Sequence, residues 1–315
     1  MGGWRARPGL RTAARILGAL LMVASLYYVG RTLYGGVRDL ALGEVAIRWV
    51  PLAGALALTT VCVGLGGWLW QLVLRSLGVR LGLGECLTIQ TTSNLAKYLP
   101  GYAWQLVGKG YLTAQQAPGG GRMGLALLLE LGALLGTAGF VALASWPADV
   151  TWPWLGRPTV WVRGVGAGVL ALLLLGAAPL VRGALRWVEW RRPAWAGAVL
   201  GSRSFYGALG VAALSWGVFG AAYALTVGAL VDLPPADWPL ALHTLTLSFI
   251  VSLLTPFVPG GIGVREGLMA YLLASRLPGG VAALAAVLSR LLLVASELAA
   301  FGLLRAWGAL RRHNG

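Results

Sequence analysis

Thr255-Pro256-Phe257-Val258-Pro259-Gly260-Gly261-Ile262-Gly263-Val264-Arg265-Glu266-Gly267 lies between two apolar runs. Pro256 and Pro259 each remove a backbone donor and disfavour helix. Gly260, Gly261 and Gly263 let the chain turn or approach another backbone closely. Arg265 and Glu266 follow at once, a cation beside an anion. In a bilayer, broken backbone is tolerated only where it packs in protein or lines a wet cavity. Charge at depth is costly and marks function. Break and charge together point to a half-helix site of the kind transporters use. The competing reading is a surface loop whose charges sit among lipid headgroups.

Working outward, the whole chain supports a membrane setting. It has 315 residues, 58% of them hydrophobic and 11% charged. That composition belongs to the membrane class and accommodates six to eight crossing elements of about 20 residues each. The formal net charge of +15 does not imply nucleic acid, because membrane proteins collect Lys and Arg in cytoplasmic loops. No basic stripe interleaved with aromatics is present, so no nucleic-acid partner is expected. Cys62 and Cys86 have no metal spacing and no disulfide pattern. His243 and His313 are far apart, so no metal and no cofactor are expected.

Six full spans are expected, at roughly 13–33, 49–74, 123–145, 160–181, 205–230 and 280–304. The first, preceded by Arg5, Arg7, Arg11 and Arg15, reads as a retained span rather than a cleaved signal. Two further segments are broken. One, about 85–121, turns polar at Gln90 to Asn94, breaks at Pro100-Gly101 and resumes as an amphipathic stretch through Lys109. The other enters at 239–255, breaks at Pro259-Gly260 and leaves at 264–276. Residues 182–204 read as the most basic connection. The predicted fold is therefore a single all-α polytopic membrane domain over 1–315, with halves near 49–181 and 205–304 and two Pro/Gly-broken or re-entrant elements.

Charge asymmetry sets the orientation. With the N-terminus inside and each broken segment returning to its own side, fifteen basic residues fall inside and six outside. The positive-inside rule then puts both termini in the cytoplasm and the protein in the cytoplasmic membrane. The break at Pro100 then enters from inside and the break at Pro259 from outside, as in an inverted repeat with a midplane site.

Several ionisable groups fall at membrane depth. Lys97 and Lys109 flank the first break and are suited to an anionic headgroup, or else snorkel to the interface. Glu130 lies roughly 10 Å into its span at 1.5 Å per residue, where a carboxylate must be paired or protonated. Arg290 and Glu297 are seven residues apart, nearly on one face of the last span. Arg265 and Glu266, as helix neighbours, point to different faces and so to different partners. Glu266 is the nearest candidate partner for Arg290, with Glu297 or Glu130 as alternatives. A purely structural charge network competes with a transport pathway for all of these. The glycines at 64, 66, 67, 132, 136 and 139 read as close helix packing.

The segment PGGIGVREG followed by an apolar helix resembles the signature of the lysylphosphatidylglycerol synthase transmembrane-region family, a flippase-like membrane family. Asn94-Leu95-Ala96-Lys97-Tyr98-Leu99-Pro100-Gly101, Leu129-Glu130-Leu131 and Ser289-Arg290-Leu291 match it in the expected order. The chain departs from that pattern where the family often has an arginine, near Lys109, and where it has an acid–arginine pair, at Glu130. The expected function is a flippase-like transporter moving an anionic or polyprenyl-phosphate-linked lipid. The resemblance implies a phospholipid or a polyprenyl-phosphate-linked sugar lipid, and a lipid-modifying enzyme is a candidate partner. No synthase domain follows, so lysine transfer is not expected. A membrane-embedded lipid or glycolipid transferase, or a non-catalytic partner of a lipid synthase, are the alternatives. The oligomeric state is not set by the sequence.

Overall fold

The computed structural model describes residues 47–96, 103–117, 122–148, 160–191, 200–255 and 263–313. All regular structure among them is helical. In chain order the helices are α1 (Trp49–Ser76), α2 (Leu83–Ala96), α3 (Ala103–Gln116), α4 (Arg122–Ala144), α5 (Val160–Leu175), α6 (Ala177–Arg191), α7 (Ser202–Gly228), α8 (Trp238–Leu254), α9 (Val264–Leu273) and α10 (Gly279–His313). Five helical segments are long and apolar enough to cross a membrane, and six if the bent α5–α6 pair is one span. Val50, Leu172, Leu254 and Leu303 expose large apolar side chains, as lipid-facing positions do. The chain is an all-α polytopic membrane protein.

Two expectations are corrected. The span at 160–181 is not one straight helix: it bends by 55° between α5 and α6 at Gly176. Arg182, Arg186 and Arg191 then lie on α6 rather than in a loop. The expected span at 13–33 lies outside the described residues, as do Lys97, Pro100, Gly101, Pro259, Gly260 and Gly261.

Helix α1 ends through local chemistry. Gly78 has φ 76°, which a glycine adopts without steric cost. Its N–H donates to Arg75 O and that of Val79 to Leu74 O, the paired bonds of a Schellman turn. The chain then reverses into α2.

The frame is an antiparallel pair, α1 and α7. A Cβ added at Gly54 would meet Leu225, one at Gly207 would meet Leu72, and Gly201 N–H donates to Ser76 O at 2.7 Å. Cys62 Sγ lies 3.6 Å from Ser215 O, near mid-height. A hairpin rests on each partner. α2 and α3 rest on α1: Gln71 Nε2 donates to Leu81 O at 3.0 Å and Trp70 Nε1 to Thr113 Oγ1 at 3.2 Å. Both open ends of this hairpin therefore lie near the C-terminal end of α1. α8 and α9 rest on α7, and Arg276 beyond α9 pairs with Asp237 before α8 at 3.0 Å. Those open ends lie at the other end of the frame. The two hairpins enter from opposite ends and meet in the middle.

This opposition recurs throughout the packing. α4 packs on α7 and α8, while α10 packs on α1 and α2. The unit α1–α4 and the unit α7–α10 thus exchange contacts as two inverted copies would. Both units pack a hairpin helix closely at a glycine: a Cβ on Gly67 would stand 2.6 Å from Leu87 of α2, and one on Gly220 would stand 2.4 Å from Leu242 of α8. One apolar cluster, including Trp70, Leu74, Phe205 and Ala208, fills the end where α1 stops. A second, including Tyr223, Leu245, Met269 and Ala282, fills the opposite end. The polar residues gather between them.

Candidate functional site

Between the two apolar clusters lies a cavity of about 240 Å³. Its polar lining includes Glu130, Arg265, Arg290 and Glu297, with Gln90, Asn94 and Gln105. Apolar side chains stand among them, chiefly Leu134, Trp216, Phe219, Phe249 and Leu293. Both hairpin tips contribute: α2 and α3 through the amides, α8 and α9 through Ser252 and Arg265.

Each half anchors its returning hairpin arm with one ion pair. Lys109 of α3 donates to Glu130 of α4 at 2.5 Å. Lys109 is 3% exposed and its ammonium also stands 4.4 Å from the centre of the Trp70 ring. It neither snorkels nor lines the cavity. Its charge goes to Glu130 and the indole face, a combination that favours a desolvated cation. In the second half Glu266 of α9 lies 3.8 Å from Arg290 of α10. The other Glu266 oxygen accepts from the Gly263 N–H at 2.7 Å. Gly263 has φ 88°, so glycine and the acid three residues on together start α9.

Arg265 and Glu266 do point apart. Arg265 is 9% exposed, lines the cavity, and places its guanidinium 5.4 Å from the Phe219 ring centre. It makes no ion pair within 4 Å among the described residues. Glu130 and Glu266 are committed to Lys109 and Arg290. Glu297 is 2% exposed and lines the same cavity as Arg290, two turns away.

The amide side is a connected network. Asn94 Oδ1 accepts from Gln90 Nε2 at 3.0 Å and from Gln105 Nε2 at 2.9 Å, joining α2 to α3 at their tip. Gln90 Oε1 is buried and accepts no hydrogen bond. An unsatisfied buried carbonyl of this kind is costly unless a ligand or water reaches it. Trp216, also in the lining, donates from Nε1 to Thr137 Oγ1 at 3.1 Å and to Leu134 O at 3.2 Å, and its ring meets Phe249 at 4.7 Å.

The structure therefore gathers Glu130, Arg265, Arg290 and Glu297 around one space, with Glu266 directly behind Arg290. Gln105, Trp216, Phe219 and Phe249 also line it, though nothing in the one-dimensional pattern marks them. Gln90 and Asn94 belong to the polar run at 90–94, which marks the segment without singling out these two. His243 is elsewhere: its Nδ1 sits 2.8 Å from Ala142 O and its ring stacks on Trp146. Among the described residues no three of His, Cys, Asp and Glu cluster as a metal site would. Such an arrangement offers a bound molecule charged and amide groups together with aromatic and aliphatic surface. A scan against known protein families and a search of curated proteins both find no match to this chain.

Proposed function

We propose that this protein carries an anionic or polyprenyl-phosphate-linked lipid across the cytoplasmic membrane, with the headgroup passing through the central cavity. The observation that carries this reading is Arg265, a buried guanidinium facing a mid-height cavity with no carboxylate within 4 Å among the described residues. A phosphate is its natural counterpart, because the planar guanidinium matches phosphate oxygens two at a time. The aromatic and aliphatic side chains that share the cavity suit the adjoining part of an amphipathic molecule. Opposed hairpins meeting at mid-height support the same reading, since transporters place their sites where broken helices of inverted repeats converge. The motif resemblance to the lysylphosphatidylglycerol synthase transmembrane-region family agrees with it. Termini on the cytoplasmic side follow from the charge distribution.

The test is translocation of a fluorescent phosphatidylglycerol in proteoliposomes. Arg265→Gln removes one charge-assisted contact of roughly 1.5–3 kcal/mol and slows translocation about tenfold or more, with the protein still monodisperse. Wild-type rate in that variant rejects the cavity as the pathway. A new lipid product instead of translocation identifies a transferase, and neither activity identifies a passive partner of a lipid enzyme.

A further inference from the structure

A second feature lies on the outer face of the α1–α7 pair, away from the central cavity. It is a groove of about 490 Å³. Trp68 and Leu72 of α1 form one wall, and Val211 and Leu214 of α7 form the other. Trp68 and Leu214 are 42% and 51% exposed. On α7 the lining residues Arg203, Gly207, Gly210 and Leu214 follow the four- and three-residue steps of one helical stripe. That stripe is roughly 16 Å long at 1.5 Å per residue. A Cβ built on Gly210 meets nothing within 4 Å, so the groove is open there.

One end of the groove is basic. Arg75 closes α1 and Arg203 opens α7, and the Gly201–Ser76 backbone bond holds these two helix ends together. Both arginines are exposed and line the groove with Ser204. Neither makes an ion pair within 4 Å among the described residues. Ser204 lies in the first turn of α7, where free backbone N–H groups favour an anion. The charge distribution assigns this end to the cytoplasmic interface, where an anionic leaflet meets it.

We propose that this groove is a binding site for one anionic phospholipid of the surrounding leaflet. The phosphate sits between Arg75 and Arg203 and an acyl chain lies along Gly207 and Gly210. Charge and shape select this occupant together: a free phosphate leaves the apolar trough empty, and a zwitterionic lipid meets two cations with a headgroup that carries its own. The site does not rest on the transport reading, because none of these residues lines the central cavity.

Native mass spectrometry of the purified full chain tests it, with added phosphatidylglycerol or phosphatidylcholine of matched chains. The wild type retains one phosphatidylglycerol with at least tenfold preference over phosphatidylcholine. Arg75→Gln combined with Arg203→Gln abolishes that preference. Gly210→Leu, which keeps both charges and fills open space, also displaces the lipid. If the double variant does not fold, Gly210→Leu decides alone. Equal retention of the two lipids, or undiminished phosphatidylglycerol binding by Gly210→Leu, overturns the site. Displacement of the lipid by millimolar inorganic phosphate reduces it to a bare anion site and overturns the acyl assignment. A dimer that Gly210→Leu dissociates overturns it in favour of a helix–helix contact.

Discussion

Lys109 and Glu130 meet at 2.5 Å inside the bundle, on the two helices that follow the first break. Glu266 and Arg290 hold the equivalent helices of the other half, at 3.8 Å and with the charges interchanged. The acid lies on the long helix in the first half and on the short one in the second. Neither pair can be cut on one side without stranding a charge away from water.

Removing one member of the first pair is therefore worse than removing both. Lys109→Met or Glu130→Gln alone lowers stability by about 3–5 kcal/mol, the cost of an uncompensated buried charge. Lys109→Met combined with Glu130→Leu recovers most of it, because the partners are coupled. Thermal unfolding in detergent reads the difference. Additive losses in the double variant contradict the pairing.

The second pair behaves alike but less severely, since Arg290 also faces the cavity. Arg290→Ala lowers folded yield, and adding Glu266→Gln restores part of it. Size-exclusion chromatography of detergent extracts measures the yield. Failure of Glu266→Gln to restore any yield shows that another acid carries the charge.

Gly67 and Gly64 separate close packing from composition. A Cβ on Gly67 stands 2.6 Å from the Leu87 side chain and 3.0 Å from its backbone, whereas one on Gly64 meets nothing within 4 Å. Gly67→Ala costs about 1–3 kcal/mol through overpacking of α1 on α2. Gly64→Ala is neutral or slightly stabilising. Melting temperatures of the two variants, measured side by side, check this order.

Topology is tested by single cysteines on a background lacking Cys62 and Cys86. Pro234→Cys, in the exposed connection before α8, reacts with an impermeant maleimide on intact cells. Trp190→Cys reacts only after permeabilisation. Labelling of position 190 from outside reverses the orientation derived from charge.

Much of this architecture was legible because the bilayer enforces simple rules. Apolar length marked α1, α4 and α7 to within a few residues, and the start of α10, whose helix runs on past the expected end at 304 to His313. Each Pro/Gly-rich interruption separated a pair of helices, α2 from α3 and α8 from α9, although the interrupting residues lie outside the described ones. The segment Pro235–Leu254 that contains α8 is also long enough to be a span by itself. The bend at Gly176 was not legible, because a lone glycine in an apolar run is compatible with a straight helix. The partner of Glu130 was not legible either. Lys109 is 21 positions away, and only the return of α3 along α2 brings it back. The aromatic wall of the cavity escaped for a related reason. Trp216, Phe219 and Phe249 look like every other lipid-facing aromatic until α7 and α8 are placed against α4.

The antiparallel frame has an electrical consequence. The long helices α1 and α10 run one way and α4 and α7 the other, so their macrodipoles largely cancel at mid-height. The short helices do not cancel there, because they stop or start beside the cavity. α3 and α9 turn their positive N-terminal ends toward it, and α2 and α8 their negative C-terminal ends. Partial charges of both signs are thus concentrated at the one level where the bilayer supplies none. A polar group at that level meets helix ends of both signs, before any ionised side chain is counted.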